Sequence, residues 1–346
     1  MIPIRSFSRS DVGLKRDNNE DSFLADDESG LYIVADGMGG HAAGEVASKQ
    51  VVDSVRAGLA ERWAELNELA VSAEPEARAK LEGLMQAAVL RACKEVHLLA
   101  RKDARRHQMG STCVALLCVS DKAVIGHVGD SRVYLFRAGA LHRLTEDHTL
   151  GAEQVRRGFI TEEEMHKLPT KNILLRAVGL EPAVAVDTLV TDLYPGDSLL
   201  LCSDGLYGDL TDEEVSRHLS RADLSQSAAL LVDLANERGG KDNSTAVVLS
   251  VGDDSMAHTD VGSKVDVLRS IPLFAQLNYR ELLELLSISA TRKYAVGQEI
   301  VREGEQGFEL FAITRGKVEV VKGGQSIAQL GPGGYFGEMV MFDDSP

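Results

Sequence analysis

Apolar stretches in this 346-residue chain repeatedly end on an aspartate beside glycine or serine. Leu31–Ala35 runs into Asp36-Gly37-Met38-Gly39-Gly40, Ala123–Val128 into Gly129-Asp130-Ser131-Arg132, and Ser198–Cys202 into Ser203-Asp204-Gly205. With Asn19-Glu20-Asp21 and Lys241-Asp242-Asn243 this makes five acidic clusters at strand ends or tight turns. A leucine- and valine-rich run that stops so abruptly reads as a strand that delivers a carboxylate to the rim of a sheet. Ser111–Val119, Ala123–Val128 and Arg132–Phe136 follow one another closely and read as an antiparallel meander. Helical spacing comes in pairs, Gly44–Trp63 with Glu76–Lys102, then stretches near 212–220 and 224–238 between the strands Ser198–Cys202 and Thr245–Val251. Grouped strands and paired helices, rather than strict alternation, predict an α+β fold with sheets covered by helices.

Any single Asp-Gly is most simply a turn former or a helix cap. All five together are harder to read that way, because Ser-Asp-Gly and Lys-Asp-Asn sit against apolar strands with no obvious capping task. Close carboxylates cannot all stay ionised without a cation between them. Oxygen-only ligation with no clustered His or Cys selects hard ions, Mg²⁺ or Mn²⁺, over Zn²⁺, and a pair of such ions can share and activate a water. Charge agrees: 53 acidic against 37 basic residues give a net charge of -16, which argues against duplex nucleic acid or an anionic membrane as main partner. The four cysteines (Cys93, Cys113, Cys118, Cys202) form no CxxC pair and read as free thiols in a reducing compartment. The first twenty residues contain no apolar signal-peptide core and no apolar run approaches a membrane span, so a cytoplasmic protein is expected.

Arg16-Asp17-Asn18-Asn19-Glu20-Asp21-Ser22, VADGMGGHAAGEVAS (34–48), GSTCVALL (110–117), HVGDSRVYLFR (127–137), LTEDHTLG (144–151), LLCSDGLYGDL (200–210) and KDNSTAVVL (241–249) together resemble the metal-dependent Ser/Thr protein phosphatases of type 2C (PPM family) in their bacterial form. The motifs occur in family order and cover essentially all of residues 5–252. The resemblance implies an α-β-β-α sandwich over residues 1–252 with a binuclear metal centre at one edge. Asp36 would bridge two Mn²⁺ or Mg²⁺ ions, Gly37 would ligate through its carbonyl, and Glu20 and Asp21 would hold the first pair or its waters. Asp204 and Asp242 would complete the core set, and Asp130 with Asp204 would support a third, weaker ion. Arg16 matches the phosphate-binding arginine, a role suited to a guanidinium that pairs with two oxygens at once. A metal-bridging hydroxide would attack phosphorus in line and release the serine or threonine of a phosphoprotein with no phosphoenzyme intermediate. Residues 150–182 match the family's flap. Met38 stands where some family members outside bacteria carry a histidine as a proposed general acid, so that role does not transfer; His41 is read as a local hydrogen-bonding residue. His148 is read as ordering the Glu146-Asp147 turn, and Cys202 as buried.

Residues 253–264 lack apolar periodicity and read as a linker. From 265 to 346 a helical stretch (Val267–Ile271, Tyr279–Ser289) precedes short runs punctuated by glycine, the pattern of a small β-barrel or jelly roll. Ile271-Pro272-Leu273-Phe274, the run 296–305, Gly316-Lys317-Val318-Glu319-Val320 and Gly333-Gly334-Tyr335-Phe336-Gly337-Glu338-Met339 resemble the start of a cyclic-nucleotide-binding domain. The resemblance implies that backbone amides at Gly337 face a cyclic phosphate and that Glu338 bonds the ribose; the alternative is a β-rich dimerisation or docking module. That family places an arginine a few residues after the Glu, about where this sequence reaches Pro346. The module is therefore expected to be incomplete or degenerate, with a cyclic nucleotide as effector only in a longer form. Two other readings of the whole chain stand beside the active enzyme. One is an inactive phosphatase-like scaffold, disfavoured because the metal carboxylates and Arg16 are all present. The other is a phosphatase serving one regulatory phosphoprotein in a partner-switching circuit, rather than the substrates of a Ser/Thr kinase broadly.

Overall fold

A computed structural model describes residues 2–39, 43–72, 74, 76–252, 259–302 and 308–338. Two compact units divide the chain, Met1–Ala257 and His258–Pro346. Strands of the first unit are β1 (Ile4–Asp11), β2 (Asp21–Asp26), β3 (Leu31–Met38), β4 (Gly110–Ser111), β5 (Cys113–Val119), β6 (Lys122–Val128), β7 (Arg132–Arg137), β8 (Ala140–Arg143), β9 (Asp187–Asp192), β10 (Ser198–Cys202) and β11 (Ser244–Val251). Its helices are α1 (Ala43–Ala60), α2 (Trp63–Val71), α3 (Ala77–Lys102), α4 (Leu150–Arg156), α5 (Glu162–Lys167), α6 (Asp204–Tyr207), α7 (Asp212–Leu219) and α8 (Ser227–Glu237).

The strands form two antiparallel sheets, one ordered β2-β3-β5-β6-β9 with β4 beside β3, the other β1-β11-β10-β7-β8. Ile33, Ala35, Cys113, Ala115, Leu117 and Val124 of the first sheet share a core with Val51, Val55, Leu81, Met85 and Val89 of α1 and α3. Leu200, Cys202, Ala246 and Val248 of the second share another with Val215, Leu219, Leu231 and Val232 of α7 and α8. The alternate residues Tyr32, Val34, Leu116, Leu199, Leu201, Val247 and Leu249 are equally buried. By the two-residue period of a strand they point to the opposite faces, between the sheets. The layering is thus helix, sheet, sheet, helix, as the sequence predicts.

The expected three-strand meander is corrected. Strands β5 and β6 pair with each other, but β7 pairs with β10 in the other sheet. The chain crosses between sheets at Gly129-Asp130-Ser131, where Gly129 takes φ +107°. That conformation is open to glycine and strained for other residues, and a Cβ there would lie 2.7 Å from the Thr112 side chain. The crossing is what lifts Asp130 to the rim shared by both sheets.

In the second unit, α9 (Thr259–Ser270) begins inside the stretch that reads as a linker, and α10 (Tyr279–Ile288) starts with a capping box between Asn278 and Glu281. Among the described residues two small antiparallel pairs follow: β12 (Phe311–Ala312) with β15 (Tyr335–Phe336), and β13 (Val318–Lys322) with β14 (Gln325–Leu330). They make the second unit, as far as its described residues go, a small β module beside two helices. No helix among the described residues is long and apolar enough to cross a membrane.

Candidate active site

A cavity of about 320 Å³ in the first unit is lined by Arg16, Glu20, Asp36, Gly37, Met38, Gly39, Thr112, Asp130, Asn172, Leu174, Asp204, Asp242 and Asn243. Seven of the residues singled out from the sequence thus meet at one place. Each arrives at the end of a strand or in a turn: Asp36 and Gly37 at the end of β3, Asp130 in the β6–β7 crossing, Asp204 at the start of α6, Asp242 just before β11.

Asp21 lies behind the wall. Its Oδ2 accepts hydrogen bonds from Ser203 Oγ at 2.7 Å and Thr245 Oγ1 at 2.6 Å, so a β2 carboxyl is tied to the start and end of the opposite sheet's strands. Its Oδ1 is buried with no hydrogen-bond partner, and so is Oδ1 of Asp204. Gly337 and Glu338 belong to the second unit. Gly337 has φ +87° and a Cβ on it would lie 2.4 Å from the Glu309 carbonyl. His41 lies outside the described residues.

The junction of β3 with α1 leaves no room for side chains. A Cβ on Gly37 would fall 2.0 Å from the Gly44 carbonyl, and one on Gly44 would fall 2.7 Å from the carboxyl carbon of Glu20. The Glu20 carboxyl thus lies against the start of α1, where the helix end favours negative charge.

Burial, followed by the fields of Asp21, Asp204, Asp130 and Asp242, pushes the Asp36 carboxyl well above the ordinary carboxylate range. Burial pushes Asp21 up to about 7; burial and then the charge of Asp204 push Asp130 up to about 8. Asp204 and Glu20 are raised as well, in both cases chiefly by burial. This is the signature of carboxylates crowded together without enough positive charge. Arg16 is the cation on the cavity wall, and its Nη2 donates to Asp242 Oδ2 at 2.7 Å.

Crowded oxygens, two of them buried and unpartnered, fit a hard divalent cation. As they stand, no three His, Cys, Asp or Glu side chains among the described residues are arranged to hold an ion. Asp36 and Asp204 crowd each other and are both pushed toward the protonated form, and Asp242 turns to Arg16. The Arg16 guanidinium and the raised carboxyl pKa values thus answer a crowding of charge that divalent ions would relieve when bound.

Several supporting residues carry no signal that reading the carboxylates could reveal. Asp36 N donates to Thr112 Oγ1 at 2.8 Å, Thr112 N donates to Asp36 O at 2.8 Å, and Thr112 Oγ1 lies 2.7 Å from Ser131 Oγ. Asn243 accepts from Glu20 N at 2.8 Å and donates to the carbonyls of Val12 and Asn18. The hydroxyl-bearing strand starts Gly110-Ser111-Thr112 and Asn243-Ser244-Thr245 were the available clue. His148 is not confined to its own turn: its Nδ1 accepts from Gly129 N at 3.1 Å and its backbone N donates to Gly129 O at 2.8 Å. Cys202 is buried, as expected, and burial pushes its thiol up to about 12.

A family profile described as protein phosphatase 2C matches residues 14–242. The chain belongs to the protein phosphatase 2C family. It is therefore an enzyme, a protein phosphatase of the PPM type. The serine/threonine phosphatase stp of Listeria innocua is 40% identical over 245 residues, 70% of this chain and 93% of that protein. The crystal structure of the Mycobacterium tuberculosis serine/threonine phosphatase PstP/Ppp is similar at 36% identity and a TM-score of 0.63, covering 73% of this chain and 100% of the other. A second structure, the PstP catalytic domain in complex with two manganese ions, matches with a TM-score of 0.61 at 36% identity over the same shares. A profile described as cyclic nucleotide-binding domain matches residues 291–346.

Proposed function

We propose that this phosphatase removes phosphate from phosphoserine and phosphothreonine in proteins, using two Mn²⁺ or Mg²⁺ ions and a third, weaker one. The observation that carries the reading is the single cavity that holds Arg16 beside Glu20, Asp36, Asp130, Asp204 and Asp242. The names of the Listeria and Mycobacterium relatives support the substrate class, and the manganese pair of PstP supports the metal. Asp36, Glu20, Asp21, Asp204, Asp242 and the Gly37 carbonyl would hold the core ions, and Asp130 with Asp204 the third. Bound there, the ions would supply a hydroxide from water and screen the phosphate, which fits transfer of the phosphoryl group to water without a phosphoenzyme.

The chain's own residues orient that transfer. The Arg16 guanidinium is half-exposed at the cavity mouth and can turn from Asp242 to two phosphate oxygens once ions take over Asp242. Asn172 and Leu174 of the flap segment also line the cavity, where the polypeptide around the phosphoresidue would pass. The phosphoproteins are read as targets of a Ser/Thr kinase, and the second unit as a regulatory module of the cyclic nucleotide-binding type. Four free, buried cysteines support a cytoplasmic location. Hydrolysis of a phosphothreonine peptide should vanish with EDTA and return with Mn²⁺ or Mg²⁺, and Asp36→Asn should abolish it. Turnover in EDTA, or a trapped phosphorylated enzyme, would overturn the reading.

A further inference from the structure

We propose that His148 is a positioning residue that couples the flap to the Asp130 turn, so that metal occupancy and flap order depend on each other; this rests on the phosphatase reading above. His148 is 5% exposed and reaches in two directions. Toward the cavity, its Nδ1 and its backbone N–H bond both sides of Gly129, the residue before Asp130. The Gly129 amide can only donate, so Nδ1 accepts and the ring proton is assigned to Nε2.

Toward the flap, Nε2 lies 3.3 Å from Asp187 Oδ2 and 3.2 Å from Arg176 Nη1, while Arg176 donates to Asp187 Oδ1 at 2.7 Å. The His148 carbonyl accepts from Leu175 N at 2.8 Å, and Leu150 N donates to Ile173 O at 2.8 Å. Asn172 and Leu174, in the same returning segment, line the cavity with Asp130. The Asp130 turn has little freedom to yield on its own. Gly129 is packed on Thr112, and Tyr207, stacked under Arg132, donates its hydroxyl to the Asp130 carbonyl at 2.9 Å. Movement of the flap base is therefore passed through one residue, by its imidazole and its backbone together, to the turn that carries a metal carboxylate.

The two ring nitrogens can be replaced one at a time. Asn puts an acceptor near the place of Nδ1, and Gln puts an amide near the place of Nε2. In the full chain, His148→Gln should weaken the weakest class of Mn²⁺ binding in calorimetry by roughly tenfold, equal to about 1.4 kcal/mol. His148→Asn should restore that affinity to within about threefold. It should, however, speed amide hydrogen exchange at 172–176 by roughly tenfold and abolish the slowing that Mn²⁺ produces there in the wild type. Arg176→Ala removes the side-chain arm of the same link from the flap side and should copy the exchange result even where a His148 variant fails to fold. Identical behaviour of the Asn and Gln variants, or flap exchange in the wild type that ignores Mn²⁺, overturns the proposal. A wild type that neither binds Mn²⁺ nor hydrolyses phosphopeptide would instead overturn the phosphatase reading itself.

Discussion

Thr112→Val tests whether the carboxylate rim is held by neutral hydroxyls. Thr112 is 1% exposed, and valine matches its shape while removing one oxygen. That oxygen takes the Asp36 amide at 2.8 Å and meets Ser131 Oγ at 2.7 Å, so the change strands two polar groups. Each lost partner costs about 1–3 kcal/mol when the group stays buried. Ser131 can rotate toward another acceptor, so the sum is set at about 2–4 kcal/mol. In a domain of this size 1 kcal/mol moves the melting point by about 2–4 °C, which gives a drop of roughly 5–15 °C. Urea unfolding of the EDTA-treated protein measures it. Thr112→Ser is the control: it keeps the oxygen and loses the methyl that covers Gly129, and should cost only about 1 kcal/mol. The double variant Thr112→Val with Ser131→Ala should be less destabilised than the sum of the singles, because both remove the same bond. A valine variant no less stable than the serine variant would refute the reasoning.

Arg16→Ala should raise KM for a phosphopeptide by roughly tenfold or more, a loss of about 1.4 kcal/mol or more in charge-assisted phosphate contact. Because Arg16 competes with ions for Asp242, calorimetry should show Mn²⁺ affinity unchanged or tighter; loss of binding would disprove the assignment. Gly44→Ala should reduce both stability and Mn²⁺ affinity, since the new methyl would meet the Glu20 carboxyl at 2.7–2.8 Å; thermal melts with and without Mn²⁺ measure both. The metal-free enzyme should melt lower at pH 8 than at pH 5. Asp21 and Asp130, at about 7 and about 8, keep protons in the folded state that the unfolded chain has already released, so stability falls as pH rises from about 4 to about 8. Mn²⁺ should reverse the slope, and a metal-free enzyme equally stable at both pH values would contradict the crowding of these carboxyls.

What could be read from the sequence was the part written in charge. Five aspartate clusters at strand ends make no sense without a cation, and that argument needs no knowledge of which strands pair. Pairing itself was hidden where a strand is buried on both faces. Cys113–Val119 is buried at every position, so no alternation marks one face, and nothing local tells β6 and β7 that they enter different sheets. Strand β1 is matched to β11, about 240 positions away in the register Ile4 to Val251, and only the folded sheet joins them. The supports of the site were hidden for another reason. Thr112, Ser131, Ser203 and Thr245 are neutral, common residues whose value lies in the carboxylate each one touches.

His148 sits between these cases. A histidine next to Glu146-Asp147 is most economically explained by its neighbours, but Asp147 is already taken in a two-point ion pair with Arg132 at 2.9 and 2.6 Å. That pair keeps the Asp147 carboxyl ionised: the Arg132 charge and hydrogen bonds outweigh burial and leave its pKa below the ordinary value. With the acid occupied, the imidazole is free to face Gly129 on one side and Asp187 on the other. The consequence is a division of labour along three consecutive residues. Asp147 anchors the second sheet through Arg132 on β7, His148 bonds the metal-rim turn, and Thr149 caps α4, the first helix of the flap, by accepting from Ala152 N. A substitution at any one of them should therefore be read differently: in stability alone for Asp147, in flap exchange alone for Thr149, and in both metal affinity and flap exchange for His148, which touches both sides.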